Sequence, residues 1–139
     1  MRGLFIVFEG LDRSGKSTQS SLLHEALPES QHIRFPNRTT TTGKTINSYL
    51  SNTLPLPDQT IHLLFSANRW ESSNEIVTLI EAGKDVICDR YVYSGVAYSS
   101  AKGLDFEWCY ASDKGLPKPD LVIFLEIDQN LLESREGFG

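Results

Sequence analysis

The segment Gly10-Leu11-Asp12-Arg13-Ser14-Gly15-Lys16-Ser17 decides the fold of this chain, because it has the pattern G-x-x-x-x-G-K-[ST]. In such a phosphate-binding loop, glycines let backbone N–H groups surround phosphate oxygens, the lysine neutralises those oxygens, and the hydroxyl can ligate Mg²⁺. An apolar run at residues 4–8 predicts a strand before the loop, and residues 17–27 predict an amphipathic helix after it. The segment therefore predicts a site for a nucleoside triphosphate.

Strand and helix patterns alternate along the rest of the chain. Short apolar runs predict further strands at residues 32–35, 85–89 and 121–127. Helical spacing predicts helices around residues 46–50, from Gln59 with Asp58 as N-cap, at 74–82, 93–101 and 106–111, and after Asp128. This order predicts the α/β class, with a doubly wound parallel sheet covered by helices on both faces in three layers.

Length and composition fit one domain spanning residues 1–139. The chain is 40% hydrophobic, and 13 basic against 18 acidic residues give a net charge of −5, which disfavours a nucleic-acid binder. The longest apolar run, residues 121–125, is far below the roughly 20 residues that cross a bilayer, and no secretory leader is visible, so we expect no membrane partner. Cys88 and Cys109 have no metal-site spacing and are predicted to be reduced packing residues.

The C-terminal residues Glu136-Gly137-Phe138-Gly139 follow directly on a predicted helix. A doubly wound domain ordinarily continues from such a point with another strand and a covering helix. We therefore expect the chain to be truncated and the C-terminal part of the fold to be missing.

A second carboxylate supports the nucleotide site. Asp89 closes the predicted strand at residues 85–89. Because ligands of a doubly wound sheet collect at the carboxyl ends of its strands, Asp89 should face the Mg²⁺ that Ser17 contacts. The alternative is an acidic residue that merely ends a strand in a turn.

The arginines indicate a phosphate acceptor. The Asn-Lys-x-Asp motif that guanine-nucleotide hydrolases need is absent from the sequence. Arg13 lies within the loop, Arg38 follows Phe35-Pro36, Arg69 follows Phe65, and Arg90 follows Asp89. Arginine forks clamp phosphates, although each arginine taken alone is better explained as a surface charge.

These motifs together resemble the thymidylate kinase family, in particular its eukaryotic type with an arginine in the phosphate-binding loop. The resemblance lies in residues 8–19, 34–38, 63–71, 89–98 and 115–120, and includes Phe65-Ser66-Ala67-Asn68-Arg69 and Asp89-Arg90-Tyr91. It implies a nucleoside monophosphate kinase-like fold cut off where the lid begins. It also implies transfer of the ATP γ-phosphate to dTMP, giving dTDP and ADP. It further implies a homodimer with a helix-to-helix interface. It also implies a cytoplasmic location, with the nucleus as alternative.

The resemblance also implies roles in dTMP binding. Asp12 would hold the 3′-hydroxyl, Phe65 would stack on thymine, and Arg69 would donate to a thymine carbonyl. Tyr98 would crowd the 2′ position of the sugar. The implied dTMP-binding set is Asp12, Phe35, Arg38, Phe65, Arg69, Arg90, Ser94, Gly95 and Tyr98, with Arg38 and Arg90 on the phosphate.

For the phosphate donor, the resemblance implies ATP with Mg²⁺. The implied ATP-binding set is Gly10, Arg13, Ser14, Gly15, Lys16, Ser17, Thr18 and Arg135, with Arg135 near adenine. Arg13 would reach the transferring phosphoryl group. The implied catalytic set is Arg13, Lys16 and Asp89, and the implied metal set is Ser17 and Asp89.

Two other functions stay open from the sequence. The chain could be another nucleoside or nucleotide kinase, such as a deoxynucleoside kinase, or a nucleotide-binding module without turnover. Phosphate-clamping arginines favour a monophosphate acceptor, and the intact Lys16, Ser17, Arg13 and Asp89 argue against loss of catalysis. Without the resemblance, Phe65 would be assigned to core packing, because it lies on an apolar helical stripe.

Overall fold

The structure, a computed structural model, describes residues 1–126. Strands and helices alternate along it, except that three helices precede β3 and two precede β4. The elements are β1 Phe5–Gly10, α1 Lys16–Ala26, β2 Gln31–Arg34, α2 Thr41–Leu50, α3 Asp58–Glu71, α4 Ser73–Glu81, β3 Val86–Asp89, α5 Val92–Ala101, α6 Phe106–Ala111 and β4 Leu121–Leu125.

The strands form one parallel sheet in the order β2-β3-β1-β4. Phe8 of β1 pairs with Asp89 of β3, and Gly10 pairs with Leu125 of β4. The carboxyl end of β1 therefore lies between those of its two neighbours. The phosphate-binding loop begins there, beside the acidic end of β3, as the sequence predicts.

Hydrophobic side chains cover both faces of the sheet. Phe5 and Val7 of β1 pack in a cluster with Ile76 and Ile80 of α4. The alternate residues Ile6 and Phe8 pack on the opposite face, against side chains that include Leu23 and Leu27 at α1. Successive residues of a strand point to opposite faces, so β1 is buried on both sides. The sheet is thus the middle of three layers, which confirms the predicted α/β class.

One local prediction is wrong, and another extends beyond residue 126. Asp58 is not the N-cap of α3: Pro57 occupies that position, and Asp58 is the first helical residue. A carboxylate in the first turn still interacts favourably with the helix N-terminus through its charge. The predicted strand at residues 121–127 ends at Leu125, while Ile127, the helix after Asp128, and Arg135 lie outside the described residues.

Cys88 and Cys109 are both buried free thiols, in agreement with their predicted packing role. Within residues 1–126, no helix has the length and apolar character needed to cross a membrane.

Candidate active site

Glycines shape the loop between β1 and α1. Gly10 has a φ of 145° and Gly15 has a φ of 97°, values that residues with a side chain rarely adopt. A Cβ on Gly10 would lie 2.6 Å from the carbonyl oxygen of Leu125, so the loop must pass close to β4. Gly15 leads directly into α1, whose first N–H groups lack partners within the helix. These N–H groups and the helix dipole make this end of α1 an anion site.

Lys16 is fully buried at the start of this helix. Its Nζ donates a hydrogen bond to the carbonyl oxygen of Leu11 at 2.7 Å, so the side chain folds back over the loop. Burial lowers the pKa of Lys16, and the nearby charge of Arg90 lowers it further. The charges of Asp89, Asp12 and Glu9 oppose this lowering without cancelling it, so the buried ammonium still carries a free-energy cost that a phosphate anion would offset.

Ser17 and Asp89 meet across the gap between the loop and β3. The Ser17 hydroxyl donates to Oδ2 of Asp89 at 2.8 Å, and the Asp89 side chain is buried. Oδ1 of Asp89 has no hydrogen-bond partner within residues 1–126. A free, buried carboxylate oxygen beside a hydroxyl provides the oxygen ligands that Mg²⁺ uses when phosphates and water supply the rest, so these residues fit the ion.

The other predicted ATP-side residues lie along the same loop. Ser14 is buried, and its hydroxyl also has no hydrogen-bond partner among the residues that the structure describes. Arg13 is exposed at the turn of the loop with φ of 65°, and Thr18 is exposed in the first turn of α1. The loop thus brings together every predicted ATP-side residue except Arg135, which lies outside residues 1–126.

A cavity of about 230 Å³ opens beside this loop, at the carboxyl ends of β1, β2 and β3. The structure gathers all nine residues of the predicted dTMP-binding set around it: Asp12, Phe35, Arg38, Phe65, Arg69, Arg90, Ser94, Gly95 and Tyr98. The cavity is also lined by three residues that the sequence analysis did not single out: Pro36, Leu50 and Tyr91. Residues from six separate segments therefore converge on one place.

Two arginines bring positive charge to this cavity. Arg90 has φ of 68° and its guanidinium contacts the carboxylate of Asp12 in the phosphate-binding loop. Arg38 donates to Oδ1 of Asn47 in α2 at 3.0 Å. The loop that carries Arg38 is fixed by Asn68, whose amide accepts from the N–H of Asn37 at 2.7 Å and donates to its carbonyl oxygen at 2.9 Å.

Phe65 serves the core and the cavity at once. It packs with Ile46 and Ile61 in a buried cluster and is 9% exposed, yet its ring also lines the cavity. Tyr98 meets it edge-to-face, with ring centroids 5.7 Å apart. The ammonium of Lys102 lies 4.4 Å from the centre of the Tyr98 ring and makes a cation–π contact with it. The packing and cavity interpretations of Phe65 are therefore both compatible with its position.

Glu9 is a buried carboxylate that the sequence analysis did not assign to the site. Its oxygens accept hydrogen bonds from the N–H groups of Tyr91 and Ser94, each at 3.1 Å, and from the Ser94 hydroxyl. The last residues of β1 are thereby tied to the N-terminus of α5, where a negative charge is favourable. A signal for this role was the acidic residue inside an otherwise apolar strand.

Asp113 is a second buried carboxylate that sequence reasoning missed. It forms two hydrogen bonds with Arg69, from Nε at 3.1 Å and from Nη2 at 2.8 Å. The Ser66 hydroxyl donates to the same carboxylate at 2.8 Å. Arg69 is 3% exposed, so this ion pair fixes one of the predicted dTMP-binding side chains from behind.

The parallel sheet, the loop with its buried lysine, and the hydroxyl–carboxylate pair define a P-loop α/β protein of the nucleoside monophosphate kinase-like class. Comparison with known proteins gives the particular family. The profile of the family described as thymidylate kinase matches residues 8–138. The chain therefore belongs to the thymidylate kinase family.

Individual relatives agree with this assignment. The chain is 54% identical to the thymidylate kinase of Schizosaccharomyces pombe over 143 aligned positions, covering 99% of this chain and 68% of the relative. It is 50% identical to that of Dictyostelium discoideum, covering 99% and 64%. The solved structure of the Candida albicans thymidylate kinase matches with a TM-score of 0.94 at 48% identity, covering 99% and 69%. The chain thus spans about two thirds of the length of its relatives.

Proposed function

We propose that this protein is an ATP-dependent dTMP kinase, which transfers the γ-phosphate of ATP to dTMP and yields dTDP and ADP. Family membership supports the reaction, and one structural observation supports the acceptor. The cavity that holds all nine predicted dTMP-binding residues opens directly beside the phosphate-binding loop. Donor and acceptor phosphates bound at these two places would face each other, and phosphoryl transfer depends mainly on positioning and charge neutralisation.

The polar and aromatic groups of the cavity fit a nucleoside monophosphate. Arg90 and Arg38 supply cationic forks for the acceptor phosphate, and Asp12 supplies a carboxylate for a sugar hydroxyl. Phe65 offers an aromatic face to a base, which gives affinity for any base. Discrimination then rests on the donors of Arg69 and on the crowding of the sugar by Tyr98.

On the donor side, Lys16 and the N-terminus of α1 would bind the β- and γ-phosphates of ATP. Ser17 and Asp89 would hold Mg²⁺, which neutralises phosphate charge when bound. Oδ1 of Asp89, buried and without a hydrogen-bond partner in the described part of the chain, supports this assignment. The hydrogen bond from Lys16 to Leu11 keeps the ammonium close to the loop.

A panel of acceptors tests the proposal. We expect dTMP to bind in calorimetry more tightly than UMP, AMP and thymidine, and to be phosphorylated in the presence of ATP and Mg²⁺, with dUMP showing how much the base methyl contributes. Preference for thymidine over dTMP would instead support a deoxynucleoside kinase, because it would mean that the arginines do not clamp an acceptor phosphate. Selective binding of dTMP without turnover would support a silent binding module.

Replacement of Phe65 by alanine is expected to weaken dTMP binding by roughly 1–3 kcal/mol, the usual contribution of base–aromatic stacking. Calorimetric titration with dTMP measures this loss. Ile61→Ala is the matched control, because Ile61 belongs to the same buried cluster but not to the lining of the cavity. It should destabilise the fold without weakening dTMP binding in the folded protein, whereas unchanged affinity in Phe65→Ala would restrict Phe65 to core packing.

Assembly and location extend the proposal. We propose a homodimer with a helix-to-helix interface, supported by family membership, and analytical ultracentrifugation tests it. We also propose a cytoplasmic location, with the nucleus as alternative. The two buried free thiols support a reducing compartment of this kind.

A further inference from the structure

Arg69 meets the cavity with only one edge of its guanidinium. The other edge is occupied by Asp113, through the bonds from Nε and Nη2 described above. A guanidinium carries five N–H donors in one plane, so the remaining donors of Nη1 and Nη2 are left for a ligand. Arg69 lines the cavity while its side chain is only 4% exposed, which leaves these donors little freedom to turn elsewhere.

Gly95 restricts the same guanidinium from the side of α5. A Cβ on this glycine would lie 2.6 Å from Nη1 and 2.8 Å from Nη2 of Arg69. The absence of a side chain therefore lets the backbone of α5 lie against the charged group. With Asp113 on one edge and Gly95 beside it, the guanidinium is held in one position.

Asp113 itself is fixed and does not line the cavity. Its side chain is fully buried, and Ser66, one helical turn before Arg69 on α3, donates to its Oδ1 at 2.8 Å. The carboxylate thus contacts two side chains of α3 from the segment that follows α6. It lies behind Arg69 as seen from the cavity, so any effect it has on a bound nucleotide passes through Arg69.

We propose that Asp113 is a positioning residue that selects the base of the acceptor nucleotide by fixing the donors of Arg69. The inference rests on the proposed function. Donors held in place accept a pyrimidine whose carbonyl oxygen faces them, as in thymine or uracil. They reject a pyrimidine that presents an amino group there, as cytosine does, because two donors would then face each other without an acceptor.

Asp113→Asn tests this inference, because it keeps the shape of the side chain and removes its charge. An amide offers one acceptor and turns an N–H₂ group toward one of the two Arg69 donors, so the guanidinium must move. We expect KM for dTMP to rise about 10- to 100-fold, the range found when partners that orient metal ligands are removed. The ratio of kcat/KM for dTMP to that for dCMP should fall, while kcat for dTMP should change much less.

Asp120→Asn is the matched control. Asp120 also accepts from an arginine, Arg2 at 2.8 Å, and from a backbone N–H, that of Phe5 at 2.8 Å, but it does not line the cavity. This variant should leave the dTMP to dCMP ratio unchanged. Equal losses for dTMP and dCMP in Asp113→Asn would overturn the inference, because a purely structural role predicts that result.

Asp113→Glu decides the question if the asparagine variant does not fold. It keeps the charge and moves the carboxylate by about one bond length, so it should also reduce the preference for dTMP over dCMP. An unchanged preference in this variant would overturn the inference. A wild-type protein that does not prefer dTMP would overturn the proposed function itself, and the inference with it.

Discussion

Arg13→Ala is expected to lower kcat for dTMP phosphorylation by about 10³-fold or more, which corresponds to roughly 4 kcal/mol of transition-state stabilisation. Arg13 lies between Asp12, which lines the acceptor cavity, and Ser14 of the donor loop. A guanidinium at this place can reach the phosphoryl group that passes between the two substrates. Because Arg13 is not part of the lining of the cavity, calorimetry should find the affinity for dTMP nearly unchanged.

The backbone at Arg13 provides a sharper control. Its φ of 65° lies in the left-handed region, where a residue with a side chain costs roughly 1–2 kcal/mol relative to glycine. Arg13→Gly should therefore lose as much activity as Arg13→Ala. It should unfold at the same denaturant concentration as Arg13→Ala or at a higher one. Arg2→Ala, an exposed arginine paired with Asp120, should keep full activity. A loss of less than tenfold in Arg13→Ala would remove Arg13 from the catalytic set.

Much of the fold could be predicted because its signals are local. The apolar run of β1 and the glycine-punctuated loop after it predict a strand, a turn and a helix within about twenty residues, and the structure contains them. The strand order β2-β3-β1-β4 depends on contacts between distant segments, and no local pattern encodes it. The predicted N-cap of α3 was wrong. The prediction relied on Asp58 because aspartate caps helices well, but Pro57 already supplies the backbone turn that starts the helix.

The site residues also divide into those that local motifs predict and those whose role depends on distant contacts. The nine residues around the cavity could be named from motifs, since each lies in a short segment that resembles the family, and the structure gathers them. Glu9 and Asp113 escaped because each acts on a partner far away in sequence. Glu9 contacts residues 82 and 85 positions later, and Asp113 contacts Arg69 across 44 positions. A lone carboxylate in a sequence gives no indication of the group that it will hold.

Lys16→Met is expected to lower kcat/KM for ATP by about 10²- to 10³-fold, the range found when one preorganised electrostatic donor is removed from an active site. Methionine fills similar space without the charge. The buried ammonium donates a hydrogen bond to the carbonyl oxygen of Leu11, and the nearby carboxylates of Asp89, Asp12 and Glu9 do not cancel the lowering of its pKa by burial. Steady-state kinetics with varied ATP measure the loss, and an unchanged kcat/KM would contradict the assignment of Lys16 to the donor phosphates.

The stability of the same variant separates a functional lysine from a structural one. Burial lowers the pKa of Lys16 from its ordinary 10.5, so the charged form costs free energy in the folded state. Below the folded pKa this cost is fully present; as pH rises from there toward 10.5, the unfolded chain binds more protons and stability increases. At neutral pH, Lys16→Met should therefore be at least as stable as the wild type in denaturant unfolding and should lack this alkaline gain. A marked loss of stability would mean that the ammonium supports the fold, whereas loss of activity in a protein of equal or greater stability means that the charge is kept for the phosphates.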